Sequence, residues 1–226
     1  MAVIALTGGI CSGKSMVTQI LQEYVPIIDA DIIARNLLSE AYDKSYISNN
    51  AIPHHSQKAI HEVVNCFGMN ILTDDKFLNR KELRELVFHP NKQTAKENKS
   101  QLEAILHPLV YQEIWLQADK LKHDNTHIIV AIPLLRETLT DAEIKDNFDQ
   151  VWVIDCDQKK QIERCLQRDN CNKETIQQMI DLQASREDRL KIADVVINNN
   201  GSREELRECI YKNYQTLIAN TLITNK

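Results

Sequence analysis

The residues of this chain that could do chemistry begin at its eighth position. Gly8-Gly9-Ile10-Cys11-Ser12-Gly13-Lys14-Ser15 fits G-x-x-x-x-G-K-[ST], the phosphate-loop pattern. In such a loop backbone N–H groups wrap an anion, the lysine (here Lys14) reaches the outer phosphates, and the hydroxyl of Ser15 ligates Mg²⁺ beside them. Contacts to a nucleotide are expected from Gly9, Ile10, Cys11, Ser12, Gly13, Lys14, Ser15 and Met16. The pattern carries meaning only between a buried strand and a helix. Val3-Ile4-Ala5-Leu6 supplies the strand formers, and Ser15 to Tyr24 places Val17, Ile20, Leu21 and Tyr24 at helical spacing. The positive end of that helix then faces the same anion.

Two carboxylates follow. Pro26-Ile27-Ile28-Asp29-Ala30-Asp31 reads as a short buried strand ending in acids, and in parallel sheets ligands gather at the carboxyl ends of strands. Asp31 is expected on the rim of the phosphate loop, where it can orient or deprotonate a hydroxyl acceptor. Asp29 is read as the more structural acid, and one of the two could instead cap a helix from Ile32 to Leu38. Cations suited to a migrating phosphoryl group lie far along the chain. A helix from Gln158 to Arg168 carries Arg164 and Arg168 one turn apart, a polar turn Asp169-Asn170-Cys171-Asn172 follows, and a second helix from Lys173 contains Arg186 and Arg189. Such a pair makes a hinged flap; the competing reading is a solvated hairpin whose arginines share a face by accident.

The elements that must position these groups come from pattern and composition. The 226 residues are 43% hydrophobic and 26% charged, ordinary globular values that allow one large domain with appended lobes. A net charge of −5 argues against a general binder of nucleic-acid backbones. The longest apolar run, Ile128 to Leu135, is broken by Pro133, so no spanning helix is expected, and the absence of a basic leader points to the cytosol. Cys11, Cys66, Cys156, Cys165, Cys171 and Cys209 show no C-x-x-C spacing, so reduced thiols are expected. His54, His55 and His61 lack the accompanying ligands of a zinc site and read as solvated surface.

From Glu40 to Lys122 the pattern is helical. Asp74-Asp75 is a turn before a helix Asn79 to Phe88, whose apolar residues include Leu83, Leu86 and Val87. Its Arg80, Lys81 and Arg84 are either a solvated face or one that meets an anionic substrate. At His107-Pro108-Leu109 the proline is expected to restart a helix running through Lys122, which leaves His107 at a terminus. Strands are expected at Thr126 to Ile132, Val151 to Asp155 and Ala193 to Ile197, with a last helix from Arg203 to about Ile218. Five strands alternating with helices make an α/β protein with a doubly wound five-stranded parallel sheet.

Among phosphate-loop proteins, a guanine switch needs D-x-x-G and N-K-x-D. None of the five glycines follows an Asp by three, and Asn91-Lys92, Asn98-Lys99 and Asn172-Lys173 lack the later Asp. A motor or transport ATPase places an acidic pair after an apolar strand, where this chain has Pro133. A small-molecule kinase that closes over ATP remains.

The residues then carry a family likeness. Leu6 to Ser15, Asp29-Ala30-Asp31-Ile32-Ile33-Ala34-Arg35, His107-Pro108-Leu109, Pro133-Leu134-Leu135 with Glu137, Gln161 with Arg164 and Arg168-Asp169, Gln183 with Arg186 and Arg189, and Ala193-Asp194 through Asn199-Asn200-Gly201 resemble dephospho-CoA kinases. The D-A-D-x-I-A-R and A-D-x-x-I-x-N-x-G segments are the most specific. The resemblance implies a P-loop kinase-like single domain over residues 1–226, with a core of 1–34, 126–158 and 192–226, a helical substrate lobe of 35–125 and a helical lid of 159–191. It implies ATP-dependent phosphorylation of the 3′-hydroxyl of dephospho-coenzyme A, the last step of coenzyme A synthesis, with Mg²⁺ on Ser15. Lys14, Asp31, Arg164 and Arg168 would be catalytic; Asp31, Arg35 and His107 would bind the acceptor. The implied partners are small molecules, with no nucleic acid and no membrane, and the oligomeric state stays open. Two other readings are a catalytically silent nucleotide-binding subunit and a kinase for a nucleoside or shikimate-like alcohol. Cys11 stands where the family usually has Gly, and Arg136 where it has an apolar residue. A Cβ at position 11 resists positive φ.

Overall fold

Seven uncharged residues, Ala2–Gly8, form the strand on which the sheet is built, because each of them can be buried on a pleated surface without an unpaired charge. The computed structural model describes residues 1–46, 55–169 and 171–224, with side chains as far as 219; His54 and Asn170 lie outside the described residues. In chain order the elements are β1 (Ala2–Gly8), α1 (Lys14–Leu21), β2 (Ile27–Asp29), α2 (Ala30–Leu37), α3 (His55–Phe67), α4 (Arg80–Val87), α5 (Lys92–Leu121), β3 (His127–Ala131), α6 (Leu135–Thr138), α7 (Asp141–Asn147), β4 (Gln150–Asp155), α8 (Gln158–Arg168), α9 (Lys173–Asp181), α10 (Arg186–Lys191), β5 (Val195–Asn198) and α11 (Arg203–Thr224). The chain divides into two units, Met1–Asp29 with Lys120–Lys226, and Ala30–Asp119.

The first unit holds the five-stranded sheet, in the order β2-β3-β1-β4-β5 with every pairing parallel. This is the doubly wound α/β arrangement that the alternation of elements requires. β1 lies between β3 and β4, with Leu6 opposite both Ala131 and Trp152. All five residues of β3 are buried, as expected where crossover helices cover both faces. Ile4, Leu6, Val17, Ile20, Leu21, Trp152, Leu206 and Ile210 belong to one apolar cluster that joins the sheet to α1 and α11. Trp152 is fully buried, its Nε1 donates to Gln150 Oε1 at 3.0 Å, and truncating such a side chain typically costs about 3–5 kcal/mol.

The second unit is helical. Among the described residues its strand-like pairing is confined to the bridges Ala41 with Phe77 and Leu72 with Leu78. Ile60, Val63, Ile71, Leu78 and Leu83 make its core, against which Leu102 and Ile105 pack. Asn79 caps α4 by accepting from the N–H groups of Lys81 and Glu82. The basic face of α4 is tempered locally: Lys81 pairs with Glu85 in solvent and Arg84 lies over the Phe88 ring.

Four expectations change. β2 stops at Asp29 and a helix starts at Ala30, so Asp31 sits in a first helical turn rather than at a strand end. α5 runs unbroken through Pro108, and His107 is half-buried in mid-helix rather than at a terminus. Proline in a helix interior costs about 3 kcal/mol. Here Ala104, whose carbonyl loses its donor, is exposed to water, while Leu102 and Ile105 before the proline and Leu109, Val110 and Ile114 after it are held by packing. The predicted helix from Lys173 divides into α9 and α10, since Ser185 caps a new start by accepting from Asp188 N–H. His55 is buried with Nδ1 3.1 Å from Glu113 Oε2, which a solvated histidine would not be.

Candidate active site

The phosphate loop closes on itself. Ser12 N–H donates to the Gly9 carbonyl at 3.1 Å, and the Gly13 carbonyl accepts from Met16 and Val17 N–H at 3.0 and 3.1 Å, which starts α1. Two of its residues are left-handed, Gly13 at φ 100° and Cys11 at φ 53°. At Gly13 only hydrogen fits, because a Cβ would strike the Asn199 amide. At Cys11 the chain accepts a conformation that costs a residue with a Cβ about 1–2 kcal/mol, so the loop keeps its turn despite the substitution.

Lys14 sets the charge at the mouth of the loop. Its Nζ lies 3.3 Å from Asp29 Oδ2, with the two side chains 15% and 17% exposed. Asp29, expected as a structural residue, is thus the acid at the carboxyl end of β2 that meets the loop's cation. Asp31 and Arg35 lie one turn apart on α2, both exposed, and with His107 they belong to the helical unit. Ser15 and Met16, in the first turn of α1, are exposed.

The rest of the site comes from α8 to β5. Both polar groups of Ile10 are held by side chains: Gln161 Nε2 donates to its carbonyl at 2.7 Å, and its N–H donates to Gln183 Oε1 at 2.8 Å. The break between α9 and α10 is what frees Gln183 for this contact. Arg164 donates to the Ser12 carbonyl at 3.3 Å and the Asn199 carbonyl at 3.0 Å, and Asn199 Nδ2 donates to the Ser12 carbonyl at 2.6 Å. Arg189 is buried beside Gly9, where an added Cβ would come within 2.8 Å of its guanidinium. Burial pushes its pKa down, while Glu137 and Asp155 oppose the shift. Arg186 grips Asp155 with two bonds of 2.7 and 2.6 Å and lies 3.2 Å from Asp157, which raises its pKa further. Arg168, by contrast, is turned to its neighbour Asp169 at 2.9 and 2.6 Å and is exposed; it and Arg164 share a helical face but not an environment.

Cys11 and Cys165 are joined as a disulfide with Cα atoms 5.7 Å apart, although 154 residues separate them. This corrects the expectation of reduced thiols for that pair; Cys66, Cys156, Cys171 and Cys209 are free. No local spacing could announce a bridge between a loop after β1 and a helix after β4. Gln161, Gln183 and Asn199 were legible only as parts of the family pattern, without roles, while Arg186 and Arg189 were read as cations of the flap. Gln161, Gln183 and Asn199 hold the loop from outside, and nothing in their local sequence says so.

Together these groups place Lys14, Arg164 and Arg189 about a glycine-bounded turn, with the Ser12 hydroxyl buried and without a hydrogen-bond partner among the described residues. Such a turn can hold a phosphate chain and neutralise charge that develops on it. A family model described as dephospho-CoA kinase matches residues 2–205. The dephospho-CoA kinases of Hydrogenovibrio crunogenus and Coxiella burnetii are 40% and 36% identical to this chain over 214 and 210 residues, covering 93% and 92% of it and 95% and 93% of their own lengths. The solved dephospho-CoA kinase from Campylobacter jejuni superposes with a TM-score of 0.66 at 28% identity, over 97% of this chain and 98% of that one. With the match running from β1 into α11, the chain belongs to the dephospho-CoA kinase family.

Proposed function

We propose that this chain transfers the terminal phosphoryl group of ATP to the 3′-hydroxyl of dephospho-coenzyme A, in the last step of coenzyme A biosynthesis, using the residues described above. Family membership carries the activity. The observation that supports the residue roles is the convergence of Lys14, Arg164 and Arg189 on a loop whose backbone is pinned by Gln161, Gln183 and Asn199. Phosphoryl transfer asks for positioning and charge neutralisation more than for covalent chemistry. The loop from Gly9 to Met16 binds ATP, Lys14 exchanges its Asp29 partner for the outer phosphates, and Arg164 stabilises charge on the migrating group. Arg168 joins it only after leaving Asp169. Mg²⁺ fits the donor set, since Ser15 and Asp29 offer the hard oxygen ligands it takes, and the bound ion neutralises phosphate charge. Residues 159–191 act as a lid and 35–125 as the acceptor lobe of a single working domain. A cytosolic location with ATP and dephospho-coenzyme A as partners goes with this reading.

Asp31 is the proposed base, and Arg35 and His107 the proposed acceptor contacts. Asp31→Asn keeps the size and hydrogen bonding of the side chain but removes its charge. Turnover with dephospho-coenzyme A is expected to fall at least about a hundredfold while equilibrium Mg·ATP binding changes little. The two are measured on protein whose melting temperature matches the parent; unchanged turnover would leave Asp31 a helix residue and move the role to Asp29. ADP release across a panel of alcohol acceptors separates this function from a kinase for another alcohol and from a silent nucleotide binder.

A further inference from the structure

We infer that Cys11 and Cys165 form a reversible thiol–disulfide switch that ties α8 to the phosphate loop and slows phosphoryl transfer while it is closed. The inference rests on the reading that the loop and Arg164 handle ATP. The Cα separation of 5.7 Å lies within the span a disulfide bridges without backbone movement. The bond joins the loop residue with φ 53° to the helix that carries both Gln161 and Arg164, so one covalent link holds two further contacts to the loop in place. Arg164 precedes Cys165 directly, and its guanidinium is spent on the carbonyls of Ser12 and Asn199. To reach a phosphoryl group it must change those partners, and a helix held at the next residue resists that change. Nucleotide entry and exit past the same helix are restrained for the same reason.

The two sulfurs differ in access. Cys165 is fully buried and Cys11 partly exposed, so the Cys11 sulfur is where a small molecule reaches the bridge. Closure needs an oxidant, and a low-molecular-weight disulfide RSSR suffices. The Cys11 thiolate attacks one sulfur of RSSR; the S–S bond breaks, and the departing RS⁻ takes up the proton that Cys11 gave. The Cys165 thiol then attacks the Cys11 sulfur of the mixed disulfide and loses its proton to the second RS⁻. Two protein thiols are oxidised, RSSR is reduced to two RSH, and the same steps reversed by two RSH reopen the bridge. In an enzyme proposed to work in the cytosol, a disulfide belongs to the class that is made and broken rather than kept.

The test poises the full-length enzyme in reduced and oxidised glutathione buffers and counts the thiols at positions 11 and 165 by alkylation and mass spectrometry. Turnover is followed with S-methylated dephospho-coenzyme A, so that the acceptor brings no thiol, and dissociation of a fluorescent ATP analogue is timed in parallel. Bridged enzyme is expected to turn over and release nucleotide at least about tenfold more slowly than reduced enzyme, with full recovery in dithiothreitol. Cys165→Ala, or Cys165→Ser should the alanine variant fold poorly, is expected to match the reduced parent in the reducing buffer and, in the oxidised buffer, to stop at the mixed disulfide of Cys11, read as one added glutathione by mass. Equal rates for bridged and reduced enzyme, or two free thiols in every buffer, would each overturn the switch. Reduced enzyme that binds nucleotide but does not phosphorylate the acceptor would instead overturn the proposed function, while the nucleotide-release rates still decide the switch.

Discussion

Lys14 is poised rather than idle. Its ammonium group, largely withdrawn from water, is paired with Asp29 at 3.3 Å, so the cation is held at the loop before any phosphate arrives. In the proposed reaction the ammonium moves from Asp29 to the outer phosphates without crossing bulk water. Removing it should therefore hit chemistry much harder than folding. Lys14→Ala is expected to fold normally and to lose at least about two orders of magnitude in turnover, the scale of losing charge stabilisation in a transition state. Steady-state turnover near the parent's would remove Lys14 from the phosphates. Asp29 keeps 17% side-chain exposure, so water can reach it once the Lys14 ammonium is gone, and only a modest fall in melting temperature is expected.

At the scale of elements, the segment from α8 to α10 is the proposed lid. Its buried apolar contribution is small, with Cys165 and Ile176 inside, while Leu166, Met179 and Leu182 are 45%, 37% and 79% exposed. Besides the Cys11–Cys165 bond, it touches the loop through polar contacts from Gln161, Arg164 and Gln183, which can be exchanged for contacts to a ligand once that bond is reduced. Amide hydrogen exchange across 159–191, measured under reducing conditions, is expected to slow several-fold when a non-hydrolysable ATP analogue binds. Exchange that stays unchanged there would leave Arg168 a surface charge and Arg164 a brace of the loop, and would remove the lid. α5 makes the opposite case: Pro108 interrupts its hydrogen bonding, yet packing on both sides of the proline keeps it one helix.

For the whole molecule, the sheet links folding to pH through His127. This residue opens β3, between β1 and β2, and is 3% exposed. Burial pushes its pKa below the ordinary 6.5, helped by the chain's own amino terminus and opposed by Asp149. The unfolded chain therefore takes up a proton at pH values where the folded chain refuses it. Stability is complete above the unfolded value and is lost as pH falls through and below 6.5, with a slope of at most one proton, about 1.4 kcal/mol per pH unit. Chemical denaturation of the reduced protein at pH 7.5 and 5.5 is expected to show this loss, and His127→Gln to show a flatter dependence. An identical slope in the variant would place the titration elsewhere.

Much of this was legible without coordinates because it depends on patterns of neighbours. The apolar run before Gly8, the helical spacing of Val17, Ile20 and Leu21, and the bounds of the helix Gln158 to Arg168 follow from local burial and periodicity. The loop's anion chemistry follows from glycine, lysine and serine at set spacing. Where the short strand after Pro26 ended was not legible: whether Asp29 or Asp31 closed it turned on one residue of helix initiation at Ala30, too small a difference for pattern to resolve. Nor was the continuity of α5 legible, because the local cost of Pro108 is visible in sequence and the packing that outweighs it is not. The Cys11–Cys165 bond and the grip of Gln161, Gln183 and Asn199 on the loop join residues more than 140 positions apart. Residue types and spacing determined what chemistry the chain could do; the parallel sheet, by bringing the ends of β1, β4 and β5 to one rim, decided which side chains are close enough to do it.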